Sequence, residues 1–288
     1  MAAAPVPVLD VGGTHVTAAL VDPTDWTVRQ STRYSLNADE TAGTLIDRFW
    51  RAGNALRAPA GAGWGVAMPD PFDYERGVGR FEGVGKFAAL NGVDVGDALG
   101  TLLRGRMAFL NDADAFLLGE WVAGAARGSR RTAGLTLGTG VGSGWLVDGM
   151  VADPGTPPGG RLHRMSIGGR PLEDVVSRRA IRQAFAAAGG DAHADVREIA
   201  EAARYGYQPA RRVLDEAMSA LGAVVGRCMS GFRADVLVIG GSMSAAWDLF
   251  ERPFRTGALG NGLPEVRIAS EPDSAPLIGA ALHAARAR

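Results

Sequence analysis

One cysteine, four tyrosines and almost no net charge mark this chain of 288 residues. A lone Cys228 cannot close an internal disulfide or supply a multi-thiolate metal site, so structural zinc of the thiolate kind is not expected. Thirty Lys and Arg against 31 Asp and Glu leave a formal charge of −1, which gives no general attraction for nucleic acid or an anionic membrane. No apolar run approaches the roughly 18 to 20 residues that cross a bilayer, so no membrane partner is expected. The opening stretch MAAAPVPVLDVGG lacks a basic leader and enters a strand-like segment, which predicts no signal peptide and a cytoplasmic chain. What the sequence has in quantity is glycine: 41 residues, clustered at the ends of apolar runs where turns belong.

Val6 to Asp10 reads as a buried strand, Gly12-Gly13 as its turn, and Val16 to Val21 and Thr27 to Tyr34 as two further strands of a meander. Helical spacing over Thr41 to Leu56 precedes a strand at Gly63 to Met68 and a long loop bearing Gly and Pro. Val95 to Leu103 reads as helix, Met107 to Leu110 as strand, and Ala113 to Ala125 as a helix opening after Asn111-Asp112. From Thr132 the pattern restarts. Leu135 to Leu137 leads into Gly138-Thr-Gly140-Val-Gly142, then Trp145 to Val147 and an Asp148-Gly149 hairpin signal. Nine Gly or Pro between 152 and 171 predict an irregular loop there. Helices follow over Leu172 to Ala188, Ala194 to Tyr205 and Gln208 to Phe232, then a strand at Val236 to Ile239 and a last helix, strand and helix. Asp10-Val-Gly-Gly-Thr14 is echoed by Leu137-Gly-Thr-Gly-Val141, which points to a half-chain duplication in a two-lobe α/β protein.

Glycine turns between strands expose backbone N–H groups with no Cβ in the way, a geometry that suits phosphate. Either turn alone is also an ordinary hairpin. Asp10 ahead of the first, and the hydroxyls of Thr14 and Thr139, favour phosphate binding. A dinucleotide fingerprint is disfavoured, because its glycines must open a helix and both turns here open strands. Asp112 reads either as a proton acceptor at a strand-to-helix junction or as a helix N-cap. Asp114 reads as a solvated first-turn acid, Arg127, Arg130 and Arg131 as a solvated loop face, and Cys228 and Met229 as core.

The ordered set Asp10-Val-Gly-Gly-Thr14, Asn111-Asp112-Ala113, Leu137-Gly-Thr-Gly-Val-Gly142 and Ile239-Gly-Gly-Ser242 resembles the ROK family of sugar kinases, of the actin-like ATPase fold. Pro69-Asp-Pro-Phe-Asp73 and Pro276-Leu-Ile-Gly-Ala280 resemble family segments as well. The resemblance implies a ribonuclease H-like α/β fold with duplicated mixed sheets and a cleft between two lobes. It places residues 1–116 in a small lobe, with 270–288 packing back on it, and 117–269 in a large lobe. It also implies ATP-dependent transfer to the 6-hydroxyl of glucose, of an amino sugar such as kanosamine or glucosamine, or of a related cyclitol. Asp10 then positions Mg²⁺. Gly12, Gly13 and Thr14 meet the phosphates together with Gly138, Thr139 and Gly140, and Gly240 and Gly241 border the adenosine. Asp112 is the general base, and Asn111, Asp112, His163, Glu173 and Asp70 contact the sugar.

The chain departs from the family pattern in the loop over 152 to 171. A Glu-x-Gly-His element and three cysteines are usual there, and the cysteines hold zinc with the histidine. Here His163 and Leu172-Glu173 are kept, Gly160 replaces the glutamate, and Arg164 to Pro171 has no cysteine. Asp70 stands where Gly is common and, with Glu82, adds a carboxylate suited to an amino sugar. Three rival functions stay open: a sugar-binding regulatory module, an ATPase, and a polyphosphatase. Repressors of the family carry an N-terminal helix-turn-helix, and this chain reaches its first strand by Val6, which disfavours that role. The family often forms homodimers, on which the sequence is silent.

Overall fold

Apolar strand runs punctuated by glycine build two sheets of one and the same order. The computed structural model describes residues 4–153 and 161–287. Its elements run β1 (Val6–Val11), β2 (His15–Asp22), β3 (Thr27–Ser35), α1 (Ala42–Asn54), β4 (Gly63–Met68), β5 (Phe72–Asp73), β6 (Val78–Gly79), α2 (Val95–Leu103), β7 (Arg106–Asn111) and α3 (Asp112–Val122). Next come β8 (Arg131–Leu137), β9 (Val141–Val147), β10 (Met150–Val151), β11 (Ser166–Ile167), β12 (Arg170–Pro171), α4 (Glu173–Val176), α5 (Arg178–Ala187), α6 (Val196–Arg204) and α7 (Gln208–Phe232). The chain closes with β13 (Val236–Gly240), α8 (Trp247–Gly257), β14 (Glu265–Ile268) and α9 (Ala275–Arg286).

Two compact units result, residues 1–127 with 273–288, and residues 128–272. The expected division at 116/117 falls inside α3, an unbroken helix buried from Ala113 to Glu120, so the boundary lies beyond that helix. In the first unit the sheet order is β3-β2-β1-β4-β7, and in the second β10-β9-β8-β13-β14. In both, the first hairpin is antiparallel and the two strands beyond it are parallel. The echo between the two glycine motifs thus has a structural counterpart: each lies at the turn of its unit's leading hairpin.

Period-two alternation sorts the strand residues of the first unit between two faces. Leu9, Val11, Val66 and Met68 join a core with Leu45 and Phe49 of α1 and Leu99 of α2. Val8, Gly65 and Asp10 point to the other face, where α9 lies so close that a Cβ on Gly65 would run into the Ala280 carbonyl. Helix α9 also crosses α3 at small residues: a Cβ at Gly279 would meet the Ala115 carbonyl, and one at Gly119 the Ala275 carbonyl. Backbone cannot yield as a flexible side chain does. Gly279→Ala should therefore lower unfolding stability by about 1 to 3 kcal/mol. Gly43→Ala in α1, where nothing lies within 4 Å, should leave stability unchanged or raise it. Urea midpoints of the two variants check the pair.

Several expectations need correction. The helix foreseen over Leu172 to Ala188 is broken at Ser177, which is extended (φ −70°, ψ 159°) and caps α5 by accepting from Ala180 N at 3.3 Å. A non-local bond holds the break: Arg178 N donates to Gly138 O at 3.1 Å. Of the loop over 152 to 171, the part from 161 to 171 is less irregular than foreseen, with a 3₁₀ turn at Leu162–Arg164 and a small hairpin of β11 and β12. Gly160 and its neighbours from 154 lie outside the described residues. Asp114 is not solvated; it is 4% exposed and within electrostatic reach of half-buried His283 on α9. Nor is Arg131, whose guanidinium lies 4.5 Å from the Phe232 ring centroid and donates to Phe232 O. Cys228 and Met229 are core, and burial pushes the Cys228 thiol up to about 11. No helix among the described residues is long and apolar enough to cross a membrane.

Candidate active site

In the first unit, register brings the ends of three parallel strands level, since Asp10 pairs with Ala67 and Ala67 with Leu110. Ligands of open α/β sheets collect at such carboxyl ends. Three carboxylates follow there in turn: Asp10 near the end of β1, Asp70 two residues past β4, and Asp112 directly after β7.

Asp10 lies one strand residue before the first glycine turn. Burial pushes its carboxyl up to about 6, with Arg33 pulling the value down and Asp273 pushing it further up. Two carboxylates within electrostatic reach, one half-buried and costly to ionise, make a setting that a cation relieves. Mg²⁺ suits it, because that ion takes one or two carboxylates and completes its shell with phosphate oxygens and water. Among the described residues no cluster of three or more His, Cys, Asp or Glu is placed to hold a metal by itself. Asp273, in the loop before α9, gave no signal in the sequence.

The turn itself is tied at both sides. Gly12 N donates to His15 O at 2.9 Å, Leu36 N donates to Thr14 O at 2.8 Å, and the Thr14 hydroxyl bonds His15 Nδ1 at 2.9 Å. Histidine 15 is thereby a partner of the turn's threonine.

At the third strand end the two candidate roles divide between neighbours. Asn111 is the N-cap of α3: its Oδ1 accepts from Ala113 N at 3.1 Å and Asp114 N at 3.3 Å. Its Nδ2 donates to the Tyr74 hydroxyl at 3.2 Å, which in turn donates to Met68 O at 3.2 Å. Only 3% exposed, Asn111 is thus fixed in orientation by a tyrosine the sequence reading missed. Asp112 is the first residue of α3, and its Oδ1 accepts from Ala113 N at 2.8 Å. The capping position is occupied by Asn111, so a helix-cap role does not account for Asp112.

In the second unit, Gly138, Thr139 and Gly140 turn between β8 and β9, with Gly138 N donating to Gly140 O at 3.0 Å. The break at Ser177 serves this turn, since Arg178 N holds the Gly138 carbonyl. Glu173, at the start of α4, places its carboxylate against Gly140, where any side chain would collide with it. The structure thus brings a residue foreseen at the sugar to the edge of a glycine turn. Gly240 ends β13, and Gly241 follows with φ 82°, close enough to Leu137 that a Cβ would strike its backbone. Ser242 borders Gly138, with its hydroxyl 3.5 Å from where a Cβ would stand. His163 sits in the 3₁₀ turn pinned to β9, where Leu162 N donates to Ser143 Oγ at 3.1 Å and Arg161 Nη1 to Ser143 O at 2.6 Å.

A duplicated sheet of this order, with a glycine turn in each leading hairpin, defines a protein of the actin-like ATPase fold. The chain belongs to the ROK family, whose model matches residues 7–155 and 168–287. It is similar to a glucokinase of Thermotoga maritima, with 27% identity over 94% of this chain and 92% of the relative. An N-acetylgalactosamine kinase of a Shewanella strain is 26% identical over 95% and 94% of the two chains. A ROK family glucokinase of Streptomyces griseus, solved in complex with glucose and AMPPNP, superposes with a TM-score of 0.82 at 21% identity, over 98% of this chain and 99% of that one.

Proposed function

We propose that this protein transfers the terminal phosphoryl group of ATP to the 6-hydroxyl of a hexose, an amino sugar or a hexose-like cyclitol. The observation that carries the reading is Asp112, a carboxylate at the end of a parallel strand whose capping duty is already discharged by Asn111. A sugar hydroxyl is a poor nucleophile until a base takes its proton. Asp112 accepts that proton as the bond from O6 to phosphorus forms, the bond to the bridging oxygen breaks, and ADP leaves.

Backbone donors of Gly12, Gly13 and Thr14, and of Gly138, Thr139 and Gly140, hold the phosphates, and Gly240 and Gly241 border the adenosine. Asp10, with Asp273, would hold Mg²⁺, which would supply positive charge against the phosphate oxygens. Asn111, oriented by Tyr74, keeps one Nδ2 hydrogen for a sugar hydroxyl, and Asp70, His163 and Glu173 complete the sugar contacts. The similarity to kinases of glucose and of an acetylated amino sugar supports the class and leaves the substrate to the loop residues.

Asp70 and the family glutamate's replacement by Gly160 set the expected preference. Losing one acceptor to a bound hydroxyl costs about 1 to 3 kcal/mol, or roughly five- to 150-fold in specificity. In a panel of hexoses, amino sugars and cyclitols with Mg-ATP, read as ADP release, an amino sugar or cyclitol should exceed glucose in kcat/KM. Glucose as the best of the panel would remove this preference and leave the kinase reading in place, whereas no sugar-dependent ADP release from any member would remove both.

A further inference from the structure

Of the thirty Lys and Arg in the chain, Lys86 is the sole lysine. That one lysine lies over the first glycine turn. Its Cδ and Cε are 3.6 and 3.7 Å, and its Nζ 3.8 Å, from the point where a Cβ of Gly13 would stand. Among the described residues its ammonium has no hydrogen bond or ion pair, in a molecule where Arg29, Arg178, Arg204 and Arg255 all engage carboxylates.

The placement is built into the backbone. Phe87 is fully buried, its ring 5.5 Å from that of Phe81, and its N–H donates to Ala38 O at 3.0 Å. It holds φ at 56°, a left-handed conformation that a bulky side chain adopts only when its surroundings impose it. The inward anchor at 87 presents residue 86 outward, to the turn.

We infer that Lys86 binds the terminal phosphate of the nucleotide at the Gly12-Gly13-Thr14 turn and stabilises the charge on the phosphoryl group in flight. This rests on the kinase reading above and adds a catalytic residue to it. Charge in phosphoryl transfer spreads over the phosphate oxygens, and fixed cations aimed at them are a main source of rate. An ammonium is a compact charge with three rotatable donors, and it reaches an oxygen that glycine N–H groups already crowd. The planar guanidinium fork needs more room. Everywhere else in this chain Arg serves as the cation, so the one exception falls where compactness matters.

The composition also supplies the test. Reductive ¹³C-methylation of the full chain labels two amines, Lys86 Nζ and the N-terminus, and the Lys86→Arg protein identifies which resonance is which. Mg-AMPPNP should shift the Lys86 resonance, Mg-ADP should shift it much less, and sugar alone should leave it in place. A Lys86 resonance that does not move, while calorimetry shows Mg-AMPPNP bound to saturation, overturns the assignment. In turnover, Lys86→Met should lower kcat by roughly 10²-fold with an unchanged melting temperature, and Lys86→Arg should recover part of that loss. Lys86→Met within threefold of the parent overturns the catalytic role. Should the unmodified protein phosphorylate no sugar, the kinase reading fails, and the resonance shift still decides whether Lys86 binds a terminal phosphate.

Discussion

Asp112→Asn is expected to lower kcat by roughly 10² to 10⁴, or about 3 to 5 kcal/mol in the barrier, while the melting temperature and sugar affinity stay near those of the parent. The substitution keeps the shape of the side chain and removes only its capacity to take a proton. Helix α3 gives no reason for a stability loss, because its cap is Asn111, whose Oδ1 holds the N–H groups of Ala113 and Asp114. Direct binding of the sugar by calorimetry, together with initial rates, separates the two effects. An Asp112→Asn enzyme that turns over within a few-fold of the parent, with its fold intact, excludes Asp112 as the base.

Asp10→Asn is expected to act with opposite signs on activity and stability. Burial raises the Asp10 carboxyl to about 6, above the ordinary aspartate value of 3.8. An acid whose pKa is higher in the folded state than in the unfolded one costs nothing below pH 4. Its cost grows between pH 4 and 6 and is fully present at neutral pH, where it amounts to about 3 kcal/mol in the ligand-free protein. Asparagine carries no such charge. The variant should therefore melt higher than the parent at pH 7.5 without nucleotide or Mg²⁺, and the gap should close as pH falls towards 4. With Mg-ATP its kcat should drop by roughly 10²-fold, with a changed dependence on Mg²⁺ concentration that Asp112→Asn does not share. A gap in melting temperature that is absent or independent of pH contradicts the burial of an ionised Asp10.

What could be read from the sequence was whatever local pattern determines. Gly63–Met68, Val95–Leu103 and Gln208–Phe232 form the elements their apolar spacing and Gly or Pro boundaries foretell. The glycine turns and Asn111-Asp112 were legible for the same reason, since each sits at the end of a short apolar run. Ser177 was not, because apolar residues at Leu172, Val176 and Ile181 continue a helical spacing across the break. The break is held by the Ser177 cap on Ala180 N together with the distant Gly138 carbonyl, which accepts from Arg178 N. Asp114 looked like a solvated first-turn acid because nothing local shows that α9, more than 150 residues later in the chain, covers that face. Tyr74 and Asp273 escaped for a similar reason, each being brought to its partner by a loop. Lys86 lies in a stretch that reads as loop, although it is the one lysine of the chain.

The most direct measurement is ³¹P NMR of the purified chain with Mg-ATP and the best sugar of the panel, followed to completion. A sugar kinase of this design yields ADP and a sugar phosphate in equal amounts, with the new phosphorus coupled to the protons on C6, and Asp112→Asn yields neither over the same interval. Inorganic phosphate in place of sugar phosphate, or ATP left intact while calorimetry shows the sugar bound, would contradict it.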